Sequence, residues 1–370
     1  MRRTDRLILG GGPAGAAAAI GFARAGHPVL MLERQRDDGD ALCGGFLSWR
    51  TCKTLEALGL AHTDLGGHAI DTLRLFAGTH SGEVRLPAPA TGLSRRRLDR
   101  LLRNIAEHGG AAIERGVTVT RAEPGRVETA DGATITCESL FLATGKHDCR
   151  GLPRGAPAEP DPMLGLRLRL APHPALTQML GSAIELHLFA GGYAGLVLQE
   201  DGSGNLCMAV RKSRLKAAGG HPWALLKALV DDSPVLGDRI AHAASDTPVD
   251  AIAAIPYGWR AAITVPGVFR LGDQAAVIPS LAGEGIGIAL LSGLMAARRH
   301  SAGGAPAALA FQADMARASK GPLAVAGLVA TAAGSASLRP LLPPLIAHVP
   351  GAAALIARLT RIGESARPRY

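Results

Sequence analysis

The sequence predicts an α/β (α+β) protein of two domains, one built on a parallel sheet and one on an antiparallel sheet, with a C-terminal helical segment. Three patterns support this fold class. Near the start, a short apolar run is followed by a glycine-rich turn and a small-residue run. Later runs alternate apolar and polar residues between turn signals, and residues 321–370 contain apolar stretches broken by prolines. Strand–turn–helix units build parallel sheets, whereas period-two alternation is typical of antiparallel ones.

The first unit of the chain has the pattern of a dinucleotide-binding site. A strand at residues 7–9 enters the turn Gly10-Gly11-Gly12-Pro13-Ala14-Gly15, and a helix follows to residue 26. These glycines allow a pyrophosphate to approach the backbone, and the helix N-terminus faces the phosphates with its N–H groups and dipole. A second strand, residues 28–32, ends at Glu33, where this motif places the carboxylate that binds a ribose.

A second stretch, far along the chain, selects FAD over NAD. A strand at residues 268–271 ends in Gly272-Asp273, and the run Gly283-Glu284-Gly285-Ile286-Gly287 precedes a helix at residues 288–298. The Asp273 carboxylate is expected to accept hydrogen bonds from ribityl hydroxyls, and the helix N-terminus to face the N1 and C2 carbonyl edge of an isoalloxazine ring. Reduction places negative charge on that edge, so a helix dipole there favours the reduced flavin.

On these residues the chain resembles the flavoprotein superfamily of the para-hydroxybenzoate hydroxylase fold, and within it the geranylgeranyl reductase branch, over about residues 1–320. Two weaker matches agree. Arg95 lies four residues before Asp99 at a helix start, and Cys43-Gly44-Gly45 matches a turn that the reductases place close to the flavin ring. The resemblance implies a Rossmann-like FAD-binding domain with a parallel sheet, and an antiparallel β-sheet substrate domain that covers the ring.

The motifs and the resemblance together define the expected site. The residues expected to bind the cofactor are Gly10, Gly12, Pro13, Ala14, Gly15, Glu33, Arg34, Cys43, Gly44, Arg95, Gly272, Asp273, Gly283, Gly285, Ile286 and Gly287. Cys43 and Glu284 are the candidates for catalysis by proton transfer beside the ring. The alternatives are a small buried residue in a glycine turn for Cys43 and a solvated carboxylate for Glu284. Tyr193 and Trp259 are expected to line the substrate chamber, with core packing as the alternative for each.

Two departures from the family pattern concern the reductant and the substrate. Hydroxylases of this fold usually carry an Asp-Gly motif linked to FAD and NADPH after the strand at residues 140–145, where this chain continues Lys146-His147-Asp148. The reductases often show a Tyr-Ala-Trp-x-Phe-Pro run over the substrate, and here the run is Tyr193-Ala194-Gly195. NAD(P)H is therefore one candidate reductant and an electron-carrier protein another, and a polyprenyl substrate cannot be assumed from the motif.

Composition excludes other classes of function. The formal net charge is +9, but no nucleic-acid recognition motif accompanies it and only 4% of residues are aromatic, so a nucleic-acid partner is not expected. Five cysteines at irregular spacing offer no metal pattern and no disulfide framework. No signal peptide and no spanning run is recognised. These features predict a cytoplasmic protein without a metal site.

The predicted organisation divides the chain into three parts. The FAD-binding domain takes residues 1–155 and 260–320, the substrate domain takes residues 156–259 with one covered face on its sheet, and the helical segment takes residues 321–370. A Pro- and Gly-rich crossing at residues 152–162 separates the first two. The helical segment is compatible with a lid, with peripheral membrane contact, or with plain packing on the FAD domain.

The predicted function is that of an FAD-dependent oxidoreductase acting on a hydrophobic small molecule. The first choice is a geranylgeranyl reductase-like reduction of an activated or isoprenoid double bond. The alternative is an FAD-dependent monooxygenase that hydroxylates an alkyl- or prenyl-substituted aromatic with NAD(P)H and oxygen. A third class is a non-catalytic flavoprotein within a biosynthetic complex.

Overall fold

The computed structural model describes residues 2–244 and 246–363. These residues form two sheets, the helices that pack against them and the connecting loops. The strands are β1 (Arg2–Leu9), β2 (Leu30–Glu33), β3 (Phe46–Leu47), β4 (His68–Ala77), β5 (His80–Gly92), β6 (Ala112–Arg115), β7 (Val119–Glu123), β8 (Arg126–Thr129), β9 (Thr134–Leu142), β10 (Met163–Leu170), β11 (Ala183–Phe189), β12 (Gly192–Leu198), β13 (Gly204–Arg211), β14 (Val249–Ile255) and β15 (Val268–Arg270). The helices are α1 (Pro13–Arg24), α2 (Trp49–Ala57), α3 (His62–Leu65), α4 (Arg95–His108), α5 (Pro174–Leu180), α6 (Lys212–Ala217), α7 (Pro222–Asp232), α8 (Pro234–Ile240), α9 (Gly285–Gly303), α10 (Ala307–Gly334), α11 (Leu342–His348) and α12 (Pro350–Leu359).

The first sheet brings three distant segments of the chain to one edge. Its order is β6-β2-β1-β9-β8-β7, and β15 also pairs with β9. Strands β1, β9 and β15 run parallel, with Leu9 in register with Leu142 and Leu142 in register with Arg270. The carboxyl ends of parallel strands meet at the same edge of a sheet, which is where α/β folds bind their ligands. The turns after these three strands therefore lie side by side.

Helices α1 and α9 pack closely against each other because their contact is built from small residues. An added Cβ on Gly21 would lie 2.7 Å from the Cβ of Ala297. A Cβ on Gly293 would lie 2.8 Å from the amide nitrogen of Ala18 and closer still to the carbonyl oxygen of Ala14. Both helices begin at the ligand-binding edge of the sheet, so this close packing sets the distance between their N-termini.

The second sheet differs from its predicted form in three respects. Its order is β14-β10-β13-β12-β11-β4-β5-β3, so residues 46–92 supply three strands that the sequence placed with the FAD-binding domain. The sheet is mixed, because β11 pairs in parallel with β4. Both faces are covered. Helices α5, α7 and α8 bury the leucines of one face, and the C-terminal helices enclose a large cavity against the other. The division into three parts otherwise stays a prediction.

The C-terminal helices close the molecule over the second sheet. Helix α10 continues through Pro322, so the predicted boundary at residue 321 falls inside one helix. Helices α11 and α12 then pack against β5. Within residues 2–244 and 246–363, no single helix has both the length and the apolar character needed to cross a membrane, although the bent pair Ala307–Gly334 and Arg339–His348 meets the test on length and composition.

Candidate active site

One large cavity lies between the ligand-binding edge of the first sheet, the second sheet and the C-terminal helices. It contains about 2270 Å³ of space outside protein atoms, part of it open to solvent. Its first end is lined by the turns after β1, β9 and β15 and by the start of α9. Its other end is apolar. The sheet contributes Leu73, Leu186, Leu188, Val197, Met208 and Ile255 to that end, and the helices contribute Ala326, Val329, Ala333, Leu342, Leu345 and Ile356.

The glycine turn after β1 leaves its backbone open to a phosphate group. It has no space for a side chain at Gly10 or Gly15. Gly10 has a φ of 106°, and a Cβ there would collide with the carbonyl of Ala143. A Cβ on Gly15 would collide with the carbonyl oxygen of Gly10. Gly12 caps α1 without a side-chain hydrogen bond, and Pro13 is the first residue of that helix. The first N–H groups of α1 thus have no side-chain cap and face the cavity that Gly12, Pro13 and Ala14 line.

Glu33 is held at the end of β2 by two backbone amides. Its Oε2 accepts a hydrogen bond from the Gly11 N–H at 2.6 Å, and its Oε1 accepts one from the Gln35 N–H at 2.8 Å. A carboxylate fixed in this way still has lone pairs for ribose hydroxyls. Neither Glu33 nor Arg34 belongs to the cavity wall: Glu33 lies beside the glycine turn, whereas the Arg34 side chain is exposed, with Nη2 3.3 Å from Nε2 of His147.

Arg95 lies beside the phosphate-binding turn. Its guanidinium donates two hydrogen bonds of 2.8 Å to the Asp99 carboxylate, and a Cβ on Gly12 would be 3.2 Å from its Nη2. Burial alone would lower the pKa of Arg95, but the Asp99 carboxylate outweighs burial and raises it. The side chain is therefore a permanent cation at the first end of the cavity, as the resemblance implied.

Lys146 is a site residue that the sequence analysis did not assign. Its Nζ lies 3.7 Å from an oxygen of the Asp273 carboxylate, and both residues line the cavity. Burial opposes the charge of Lys146, yet the Asp273 carboxylate holds the pKa of the lysine above its usual value. The side-chain amide of Gln274 fixes the loop by donating to the carbonyl oxygens of Gly145 and His147. The sequence signal that could have identified Lys146 is a basic residue in the turn that follows a buried parallel strand.

The turn before α9 presents backbone rather than side chains to the cavity. Gly272, Asp273, Gly283, Gly285 and Ile286 line it, and no side chain caps the first N–H groups of α9. Gly287 lies one residue further along the helix, outside the cavity wall.

Glu284 is buried rather than solvated, which corrects the alternative considered for it. Only 4% of the residue is exposed. Its Oε2 accepts a hydrogen bond from Oγ of Ser48 at 3.2 Å and forms an ion pair with Nε of Arg361 at 3.3 Å. The Arg361 guanidinium also stacks on the Trp49 ring, 4.3 Å from its centroid. This ion pair ties the residues just after α12 to the start of α9.

Cys43 and Gly44 line the same cavity. The Cys43 side chain is half-buried, and its carbonyl oxygen accepts a hydrogen bond of 2.9 Å from Nδ2 of Asn205 on β13. Cys207, also on β13, lines the cavity too, and burial raises the pKa of its thiol to about 12. Both thiols are half-buried, and the role of Cys43 in proton transfer stays a prediction.

Tyr193 lies in the chamber wall, but Trp259 does not. Tyr193 is 7% exposed and belongs to a group of three hydroxyls with Tyr257 and Ser280, all of which line the cavity. Trp259 instead lines a shallow hollow with Arg154 and Arg260. The assignment of Trp259 to the substrate chamber was therefore wrong. The chain turns between Ile255 and Trp259, so Tyr257 lines the cavity whereas Trp259 lines the hollow.

Comparison with known proteins supports a flavin site. A family model described as an FAD binding domain matches residues 3–147. Menaquinone reductase of Mycolicibacterium smegmatis is 28% identical over 323 residues, covering 82% of this chain and 77% of that protein. Digeranylgeranylglycerophospholipid reductase 2 of Methanopyrus kandleri is 26% identical over 319 residues, covering 79% and 75%. This chain is an FAD-dependent oxidoreductase.

Solved structures show the same fold for this flavoenzyme. A geranylgeranyl bacteriochlorophyll reductase-like protein of Thermoplasma acidophilum superposes with a TM-score of 0.72 at 17% identity, covering 99% of this chain and 95% of that one. A probable FAD-dependent monooxygenase of Pseudomonas aeruginosa gives 0.67 at 18% identity, covering 90% and 97%. The predicted fold class, the FAD cofactor and the resemblance to the reductase branch are confirmed.

The residues present fit FAD at the first end of the cavity. Uncapped N–H groups of α1 and the adjacent Arg95 suit the pyrophosphate, and the Glu33 carboxylate suits the adenosine ribose. Asp273 suits the ribityl hydroxyls, and the uncapped start of α9 suits the electron-accepting edge of the ring. A side chain at Gly10 or Gly15 would collide with the backbone of the phosphate-binding turn or of the neighbouring strand end.

Proposed function

We propose that this enzyme reduces an activated or isoprenoid double bond in a hydrophobic small molecule. The observation that carries the proposal is a continuous cavity, which runs from the FAD-binding turns into a chamber walled by leucine, isoleucine, valine and alanine. Apolar pockets with few polar groups bind apolar ligands by removing their surface from water. The names of the relatives, menaquinone reductase and digeranylgeranylglycerophospholipid reductase, support a lipid-like substrate and a reduction.

The residues of the chain bind and orient the reactants, whereas FAD, when bound, supplies the two-electron chemistry. The uncapped N–H groups of α9 and the ammonium of Lys146 place positive potential at the ring end of the site, which favours a reduced, negatively charged cofactor. The apolar walls keep water away from the substrate. Cys43 is the proposed source of the proton that completes reduction of a double bond. The reductant, NAD(P)H or a carrier protein, stays a prediction.

The test uses purified holoenzyme whose flavin has been reduced with dithionite under strict exclusion of oxygen. A naphthoquinone carrying a short isoprenoid chain is added, and the products are followed by mass spectrometry. The products are exposed to air once the flavin has been reoxidised by the substrate, because air returns any hydroquinone to the quinone. The proposal predicts a product that remains heavier by two hydrogens in its isoprenoid chain. Oxygen-dependent formation of a hydroxylated product, with no anaerobic conversion, would instead support the monooxygenase, whose fold is shared by the Pseudomonas protein.

We also propose that residues 338–359 contact the cytoplasmic surface of an anionic membrane. The exposed large apolar side chains of this segment are Leu338, Leu341, Leu345, Val349, Leu355 and Leu359. Leu345 also lines the cavity, so the exposed apolar surface reaches the chamber wall. Between residues 315 and 363 the sequence has no Asp or Glu. It has Arg317, Lys320, Arg339, Arg358 and Arg361 in that interval. Apolar side chains flanked by basic residues are typical of a surface that binds anionic lipid headgroups.

Co-sedimentation with lipid vesicles tests this contact. The holoenzyme is expected to bind vesicles containing phosphatidylserine more strongly than vesicles of phosphatidylcholine alone. Replacing Leu341 or Leu355, which are 59% and 55% exposed, by Asp should weaken that binding. The matched control is Ile263→Asp, because Ile263 is 85% exposed but lies outside the segment. Equal loss of binding in the control, or no preference for anionic vesicles, would refute the proposal.

A further inference from the structure

The loop of residues 40–45 passes over the second sheet, and part of it lines the cavity. Two side chains of the sheet bind its backbone. Nη1 of Arg167 on β10 donates a hydrogen bond of 3.2 Å to the carbonyl oxygen of Ala41. Nδ2 of Asn205 on β13 donates one of 2.9 Å to the carbonyl oxygen of Cys43. The sheet therefore fixes the course of this loop, which we call the 40–45 loop.

The Asp40 carboxylate holds one end of the 40–45 loop by three hydrogen bonds. Its Oδ2 accepts hydrogen bonds from Nη1 of Arg167 at 2.9 Å and from Nη2 of Arg169, both on β10. Its Oδ1 accepts one of 3.1 Å from the backbone N–H of Arg96, in the first turn of α4. The Asp40 side chain is only 7% exposed. Because hydrogen bonds to a charged acceptor are stronger than neutral ones, this carboxylate joins the loop, the second sheet and α4 firmly.

The start of α4 is held by the second sheet at another point as well. The N–H and Oγ of Ser94, the N-cap residue of α4, donate to the Glu200 carboxylate at 2.9 and 2.5 Å. Glu200 lies in the turn between β12 and β13. Arg95 is the next residue of the chain and lines the cavity beside the phosphate-binding turn. Asp40 and Glu200 thus fix the helix end that carries this cation.

The Asp40 carboxylate is the buried counter-ion of two arginines. The Arg167 side chain is 10% exposed, and the Arg169 side chain is 35% exposed. The carboxylates of Asp250 and Asp201 also approach these arginines, but both are more than half exposed, so solvent screens their charges. Removal of one partner from a buried ion pair leaves the other charge uncompensated. The charge of Asp40 is therefore needed where the 40–45 loop meets the sheet.

We infer that Asp40 is a positioning residue, which holds the Cys43-Gly44 turn and Arg95 in place around FAD. Asp40 lies outside the cavity wall, and it acts through the loop and through the start of α4. The inference goes beyond the proposed function, because it concerns the cofactor site and holds for reduction and for hydroxylation alike. Displacements of about 0.5–1 Å are enough to impair a binding or catalytic site. A charge outside the cavity thus determines the geometry inside it.

Labelling of the holoenzyme with N-ethylmaleimide tests the inference, with the modified cysteines identified by peptide mass spectrometry. Asp40→Asn keeps the shape of the side chain and removes its charge, so the 40–45 loop should open more often. Cys43 should then react about tenfold faster, whereas the buried Cys137 and Cys149 should react at their native rates. The FAD dissociation constant, measured by flavin fluorescence, should rise by about tenfold.

Two further variants separate positioning from overall stability. Asp40→Glu restores the negative charge and should return the labelling of Cys43 toward the native rate. Asp40→Asn combined with Arg169→Met also removes a cation that has lost its buried counter-ion. This double variant should unfold at a higher urea concentration than Asp40→Asn, while its Cys43 still reacts fast. Asp314→Asn is the matched control, because Asp314 likewise bridges two arginines but lies outside the cavity wall.

Three results would overturn the inference. The first is native Cys43 labelling together with native FAD affinity in Asp40→Asn. The second is an equal acceleration of Cys43, Cys137 and Cys149, because the substitution would then act by general loss of stability. The third is the same response in Asp314→Asn as in Asp40→Asn. If Asp40→Asn does not fold, the double variant supplies the same comparison with the native enzyme.

Discussion

Substituting Gly293 by Ala tests whether the close packing of α1 and α9 sets the geometry of the cofactor site. The new Cβ would lie 2.8 Å from the backbone nitrogen of Ala18 and nearer still to the carbonyl oxygen of Ala14, whereas an ordinary contact begins at 3.4 Å. Both neighbours are backbone atoms, so no side-chain rotation relieves the collision. The helices must separate by at least about 0.6 Å, and overpacking of this kind costs about 1–3 kcal/mol of unfolding free energy.

The consequence for the cofactor follows from the position of the two helices. FAD is expected to span the N-terminus of α1 and that of α9, so a changed separation misplaces one end of it. Binding sites tolerate shifts of only about 0.5 Å, and we expect FAD affinity to fall by about tenfold or more.

Flavin fluorescence measures the FAD dissociation constant, and urea unfolding followed by circular dichroism measures stability. Gly321→Ala is the matched control, because Gly321 lies exposed in α10 with no atom within 4 Å of its added Cβ. That change should stabilise the helix by about 1 kcal/mol or less and leave FAD affinity unchanged. The reasoning is refuted if Gly293→Ala binds FAD as tightly as the native enzyme and unfolds at the same urea concentration.

Three further substitutions test charges in and around the site. Lys146→Met removes the positive partner of Asp273 and should make the flavin midpoint potential more negative by about 30 mV, as measured by equilibrium dye titration. Arg361→Ala removes the buried ion pair with Glu284 and should cost about 3 kcal/mol of unfolding free energy, with faster proteolysis of the C-terminal segment. Burial lowers the pKa of His300 from 6.5 to about 4, so the unfolded chain binds a proton that the folded chain does not between these values. Protonation of His300 in the unfolded chain should therefore lower the free energy of unfolding by about 2 kcal/mol between pH 7 and pH 5. In urea unfolding, His300→Gln should lose about 2 kcal/mol less than the native enzyme over the same pH range.

Each of these predictions has a control or a contrary outcome. Lys216→Met removes an exposed lysine on α6 and should leave the potential unchanged. Arg358→Ala removes an exposed arginine near the end of α12, three residues before Arg361, and should not accelerate proteolysis. A potential that does not respond to Lys146→Met would mean that the ammonium is too far from the ring to influence it. If His300→Gln loses as much stability on acidification as the native enzyme, then other groups cause the loss.

Local patterns of the sequence determined the elements of the FAD-binding half. Helix α4 begins at Arg95, where the sequence predicted a helix start, and the turn after β1 has the predicted strand on one side and the helix on the other. Such elements depend on neighbours in the chain: glycines permit the turn, apolar residues form the buried strand, and small residues form the helix. The cofactor could be inferred for the same reason, because its phosphate-binding atoms belong to consecutive residues.

Tertiary structure alone decided the partners of residues distant in the chain. Residues 46–92 joined the second sheet because β4 pairs with β11, a contact between segments more than 90 residues apart that no local periodicity encodes. Arg361 reaches Glu284 for the same kind of reason, since packing of α12 brings the residues that follow it to the start of α9. Tyr257 and Trp259 face different spaces because the chain turns after β14. Local sequence specifies backbone conformation, whereas these contacts depend on how whole elements pack, and packing is a property of the assembled core.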